Sequence, residues 1–174
     1  VYFALQGASK VIAIEPFPKN FELARKNIIL NNFEDKIDLL LTGCSNEKKE
    51  ITLSDDSFGA SASIYSENST SGTKIKLVTL EEIINKYQID SAAIKFDCEC
   101  CEYDIILTSS CDTIRKFDYI MLEYHNGYKN IKKKLESCGY EVSIIGKPLY
   151  HNNPNGIPRK LYVGTLFAQK TKTI

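Results

Sequence analysis

The residues able to do chemistry gather at three points of the chain: Val11-Ile-Ala-Ile-Glu15-Pro-Phe17, Ala93-Ile-Lys95-Phe-Asp97-Cys-Glu99-Cys-Cys-Glu102 and Ile120-Met-Leu-Glu123-Tyr-His125. Each is an apolar run that stops at a carboxylate, and the third adds a histidine. Such runs read as strands buried on both faces of a parallel sheet. A carboxylate past a strand's C-terminal end lies in the crevice where open α/β sheets bind ligands. Glu15 can accept both hydroxyls of a ribose, while Asp97 can orient a nucleotide-like cofactor or act as a general base. Glu99 points the same way as Asp97 by period-two alternation, and close carboxylates raise one another's pKa. His125 beside Glu123 offers a base near neutral pH. Phe17 offers an adenine face, with core packing as the alternative. Gly43 and Cys44 end another strand, where backbone groups would border the base. Each site has a structural alternative: a capping acid at Glu15, a Lys95 ion pair, a hydrogen-bonded strand-end histidine at His125.

The elements around these points follow an α/β order. Val1–Gln6 reads as the tail of a helix stopped by Gly7, and Lys10–Glu15 as the first strand. Pro18 opens a helix with Phe21, Ala24 and Ile28 at helical spacing, and Ile37–Leu41 is a second strand leading into a loop at Thr42–Asn46. Glu47–Glu50 reads as a charged turn, and Ile51–Leu53 and Lys74–Val78 as short strands. The Ser/Gly/Asn-rich stretch between them reads as a surface loop, or alternatively as a lid over substrate. Thr79-Leu-Glu-Glu82 fits a capping box. Strands over Ala92–Asp97 and Tyr119–Tyr124 and helices over Tyr103–Leu107 and Lys129–Cys138 follow. Tyr140–Ile145 and Leu161–Ala168 have no helix between them, so they should be antiparallel. One domain over residues 1–174 is expected.

Composition narrows the function. Lys and Arg total 22 and so do Asp and Glu, and this neutrality argues against a duplex nucleic-acid binder. No apolar stretch is long enough to span a bilayer, so no membrane role is expected. The six cysteines sit in a chain of enzyme size, which favours reduced thiols and a cytoplasmic setting. Cys98, Cys100 and Cys101 lack a second ligand pair at metal spacing, so neither a metal site nor a catalytic cysteine is expected.

Together the three segments, with Val78-Thr-Leu-Glu-Glu before the second, resemble the FkbM-type S-adenosylmethionine-dependent methyltransferases. The resemblance covers nearly all of residues 1–168. It implies a Rossmann-like class I sheet with helices on both faces and a C-terminal antiparallel strand pair. It implies S-adenosylmethionine as cofactor and methyl transfer to a hydroxyl oxygen of a sugar or secondary metabolite, a small-molecule or glycan substrate. Carried over by position, Glu15 would bind the cofactor ribose, Asp97 would lie near the methyl donor, and Glu99, Glu123 and His125 would line the acceptor side. The family's glycine-rich turn and first strand would precede Val1, so an N-terminally incomplete domain is expected. Cys100 and Cys101 stand where the family has Gly and a small residue, and a Cβ there clashes if positive φ is required. A nucleotide-binding oxidoreductase and a catalytically silent binding domain of the same fold remain alternatives, and homo-oligomerisation stays open.

Overall fold

The computed structural model describes residues 1–57, 59, 62–64, 69–151 and 161–171. They form two compact units, Val1–Val78 and Thr79–Ile174, in a mixed α/β fold.

The first unit opens with α1 (Tyr2–Leu5), β1 (Val11–Ile14), α2 (Pro18–Leu30) and β2 (Ile37–Leu40). Pro18 occupies the first turn of α2, where its missing N–H costs nothing and its φ is already helical. This helix lets β1 and β2 run parallel, from Val11 opposite Ile37 to Ile14 opposite Leu40. Ala4, Ile28 and Ile37 close a small core against Val11, Ala13 and Leu39.

Three further strands form a separate sheet: β3 (Gly43–Ser45), β4 (Lys49–Leu53) and β5 (Thr73–Thr79), with β5 in the middle and antiparallel to β4. Two expectations are corrected here. Gly43 and Cys44 lie in a strand, not in a loop, and Lys49 and Glu50 belong to a strand, not to a turn. The reason lies far along the chain: a Cβ on Gly43 would come within 2.5 Å of Leu77 Cδ2, so glycine is what lets β3 approach β5. The Thr42 hydroxyl donates to the Lys76 carbonyl at 2.5 Å beside it. The Ser-rich stretch falls partly outside the described residues.

The second unit runs α3 (Leu80–Tyr87), β6 (Ala92–Phe96), α4 (Cys101–Thr108), α5 (Cys111–Ile114), β7 (Phe117–Tyr124), α6 (Lys129–Ser137), β8 (Tyr140–His151) and β9 (Leu161–Lys170). The capping box is present at α3: Thr79 Oγ1 accepts from Glu82 N at 3.3 Å, and Glu82 accepts from Thr79 N at 3.0 Å. The sheet order is β6-β7-β9-β8; β6 and β7 are parallel, and β9 is antiparallel to both its neighbours. The expected antiparallel terminal pair is therefore present, although residues 152–160 between the two strands lie outside the described residues.

Burial alternates along β7, with Ile120, Leu122 and Tyr124 buried and Tyr119 and Met121 exposed. Ala93 and Lys95 of β6 are likewise exposed. Burial of β6 on both faces is thus corrected to burial on one, a distinction that five residues of sequence are too few to make. Gly164 of β9 faces Tyr124 in register, and a Cβ there would come within 2.4 Å of the phenol oxygen. The strand pair closes because a small residue meets a large one.

The expectation of reduced thiols is corrected as well. Cys98 and Cys101 are joined across the β6–α4 turn, and Cys111 and Cys138 join α5 to the residue that ends α6. The second pair, 27 residues apart in sequence, meets only because the fold brings their Cα atoms to 5.0 Å. Neither Cys44 nor Cys100 is in a disulfide. Among the described residues no helix is long and apolar enough to cross a membrane.

Candidate active site

The parallel strands β6 and β7 end side by side, and the turn after each carries the polar groups. After β6 the chain passes through Asp97, Cys98, Glu99 and Cys100 before α4 begins at Cys101. Glu99 and Cys100 both take the left-handed conformation, at φ 52° and 91°. The turn thus takes a left-handed backbone at two residues that carry a Cβ, at a cost of about 1–3 kcal/mol per residue.

Two features hold that turn. One is the Cys98–Cys101 bond. The other is Glu102, whose side chain is fully buried at 0% exposure. Its Oε2 accepts from the Cys100 backbone N–H at 3.0 Å, and its Oε1 lies 3.0 Å from His125 Nδ1. With Glu102 as the acceptor of this bond, Nδ1 is the donor. The other imidazole nitrogen, Nε2, lies 3.3 Å from Glu99 Oε2. His125 is itself only 12% exposed. Its pKa is raised above the usual 6.5, first by the hydrogen bond to Glu102, against desolvation, with the charges of Glu102, Glu99 and Glu123 adding to the rise.

Sequence reasoning assigned no role to Glu102. The signal was present: Glu102, Ile105 and Ile106 fall at helical spacing, and all three are buried. A carboxylate on the apolar face of a helix is too costly to bury without partners.

Glu123 and Asp97 form the second part of the cluster. Burial, and after it the neighbouring Asp97 carboxylate, push Glu123 above the usual carboxylate range, while His125 opposes. Lys95 Nζ lies 2.5 Å from Asp97 Oδ2, which is the ion pair weighed as the structural reading of Lys95. Donor atoms of Asp97, Glu123 and His125 come within 4.8 Å of one another. Lys95 already supplies positive charge there, and we attach no metal reading to the group. Cys98 and Cys101, bonded to each other, have no thiolate to offer an ion.

Tyr103 pins the loop after β7 against α4. Its hydroxyl donates to Gly127 O at 2.8 Å and accepts from Asn126 N at 2.6 Å, and burial holds its pKa up to about 12. The turn that carries His125 is thereby fixed from both sides. The structure thus brings Asp97, Glu99, Glu123 and His125 into one cluster and adds Glu102.

The remaining sequence-derived residues belong to the first unit. Glu15 follows β1, and its Oε1 accepts from Phe17 N at 2.9 Å. Burial raises its pKa, with the Phe17 N–H and the Asn20 side chain opposing. Of the two readings of Phe17, the structure has the core one: it is 3% exposed and packs with Ile51, Leu53, Ile75 and Leu77. Gly43 is buried against Leu77, so its glycine serves strand packing.

A search of curated proteins finds no match. A family model for the methyltransferase FkbM domain matches residues 1–142, a span that includes every residue of the cluster and Glu15. The chain belongs to the FkbM methyltransferase domain family.

Proposed function

We propose that this domain catalyses S-adenosylmethionine-dependent methyl transfer to a hydroxyl oxygen of a sugar or secondary metabolite. The observation that carries the reading is the buried Glu102 holding His125 by Nδ1 at the C-terminal ends of two parallel strands.

Glu15 fits a cofactor ribose. It is a half-buried acceptor at a strand's C-terminal end, fixed in orientation by the Phe17 N–H, and a diol would relieve the desolvation that raises its pKa. The cofactor supplies an electrophilic methyl group on a sulfonium. Everything else falls to the chain. When the acceptor hydroxyl takes the place of Glu99 beside Nε2, the neutral ring takes its proton there, and Glu102 keeps the ring in the tautomer that can do so while stabilising the imidazolium formed. Glu99, Asp97 and Glu123 accept hydrogen bonds from neighbouring hydroxyls and so align the attacking oxygen. Such a set of acceptors suits a polyhydroxylated substrate better than an apolar one.

Calorimetry with S-adenosylhomocysteine tests the reading. Saturable binding, weakened by Glu15→Gln, is expected. Binding of NAD in its place would point to an oxidoreductase, and binding of neither to a silent domain.

A further inference from the structure

Cys98 Sγ lies 3.4 Å from Glu102 Oε2, the same oxygen that accepts the Cys100 N–H. In the disulfide this sulfur has no proton and cannot donate. As a thiol it would give Glu102 a third hydrogen bond, in competition with His125 for the carboxylate's charge. We propose that Cys98 and Cys101 form a reversible dithiol–disulfide site, reduced by a dithiol, that sets how tightly Glu102 holds His125. The inference rests on Glu102 and His125 as a working pair, but its test needs no methyl transfer.

The chemistry is well placed. Cys101 is buried at 3% exposure whereas Cys98 is half-buried, so an incoming thiolate reaches Cys98. Attack there breaks the S–S bond and expels the Cys101 thiolate at the first residue of α4, where burial and the nearby Glu102 carboxylate make it take up a proton. The reductant's second thiol then displaces Cys98 and leaves as a disulfide. Two electrons and two protons pass to the protein as two S–H groups. The neighbouring Cys100 is a weaker nucleophile than an ordinary thiol: partial desolvation, with the charges of Glu102 and Glu99, holds its pKa above the usual range.

Reduction also frees the turn. Cys100, at φ 91°, sits inside the small ring that the disulfide closes, and its N–H shares the Glu102 oxygen. The groups facing His125 are Glu102 from α4, Glu99 and Asp97 from the turn after β6, and Glu123 near the end of β7. Glu99 lies inside the ring, Asp97 and Glu102 flank it on either side, and Glu123 belongs to another element.

The test uses a His151→Gln protein, which leaves one histidine, and follows the His125 imidazole protons by NMR across pH in oxidised and dithiothreitol-reduced samples. Reduction should lower the His125 midpoint by about half a unit, roughly a threefold loss of proton affinity. Cys98→Ser, whose hydroxyl donates, should resemble the reduced protein. Cys98→Ala with Cys101→Ala should ignore dithiothreitol, and Cys111→Ser with Cys138→Ser should keep the response. An unchanged midpoint in protein shown by alkylation to be reduced at Cys98 and Cys101 overturns the proposal. So does a pair that dithiothreitol cannot reduce, or one that alkylates without it. If the alanine pair fails to fold, the oxidised and reduced parent protein decides alone. Loss of S-adenosylhomocysteine binding would count against the methyltransferase reading and leave this result standing.

Discussion

Glu102 on the first turn of α4 and His125 just beyond β7 meet at 3.0 Å, Oε1 to Nδ1, with the carboxylate wholly out of solvent. A buried carboxylate that orients an imidazole gives that ring a defined tautomer and a higher basicity. If His125 is the base, His125→Ala should lower kcat by about 10²–10⁴-fold while S-adenosylhomocysteine binding stays near normal. Glu102→Gln should lower kcat too, and should drop the His125 midpoint measured by NMR. A kcat unchanged in both variants would remove His125 from the mechanism.

The same pair links stability to pH. A histidine whose folded pKa lies above its unfolded value of about 6.5 stabilises fully below that value, and the contribution is lost as pH rises through the folded pKa. Urea unfolding should therefore show the parent protein ahead of His125→Gln at pH 5.5, with the gap shrinking by pH 8.5. Glu15 and Glu123 are also raised and so act with the same sign, but their window begins near pH 4.5, below that of the histidine.

Glu15 should matter for cofactor binding and little for folding. Loss of one charge-assisted hydrogen bond costs about 1.5–3 kcal/mol, so Glu15→Gln should weaken S-adenosylhomocysteine by roughly tenfold to a hundredfold, read by calorimetry, with an unchanged melting temperature. Equal binding by both proteins would displace Glu15 from the cofactor site.

Cys100 holds a backbone conformation that favours glycine. Cys100→Gly should relieve about 1 kcal/mol of strain, offset in part by the greater freedom of the unfolded chain. A modest rise in melting temperature is expected. A fall would mean that the Cys100 side chain contributes more than its backbone costs.

Gly164→Ala should act in the opposite direction, because its Cβ has no room beside the Tyr124 ring. Overpacking of about 1–3 kcal/mol is expected in a denaturant midpoint. Adding Tyr124→Phe should recover part of the loss, since the phenol oxygen is the nearest atom.

Elements declared by local signals are legible in the sequence. Pro18 marks the start of α2, Thr79 and Glu82 cap α3, and Gly139 follows α6. What escapes depends on distant partners. The strand at Gly43 needs Leu77, and the core role of Phe17 needs Ile51 and Ile75. The four-residue α5 has a local cap, Ser110 Oγ accepting from Thr113 N at 3.0 Å, but too little length to show a period. Asp97, Glu99, Glu123 and His125 stand out because each is polar where an apolar strand ends. Glu102 does not, because its meaning comes from the face of the helix it occupies.

The Cys111–Cys138 bond turns the chain between those residues into a closed covalent ring that carries β7, Glu123, His125 and α6. In the chain-entropy picture a loop of this length removes about 3–4 kcal/mol of freedom from the unfolded state. It also governs what a protease can release. A single cut inside the ring leaves both pieces tethered until a reductant opens it, so a nicked chain would run as one band without reductant and as two with it.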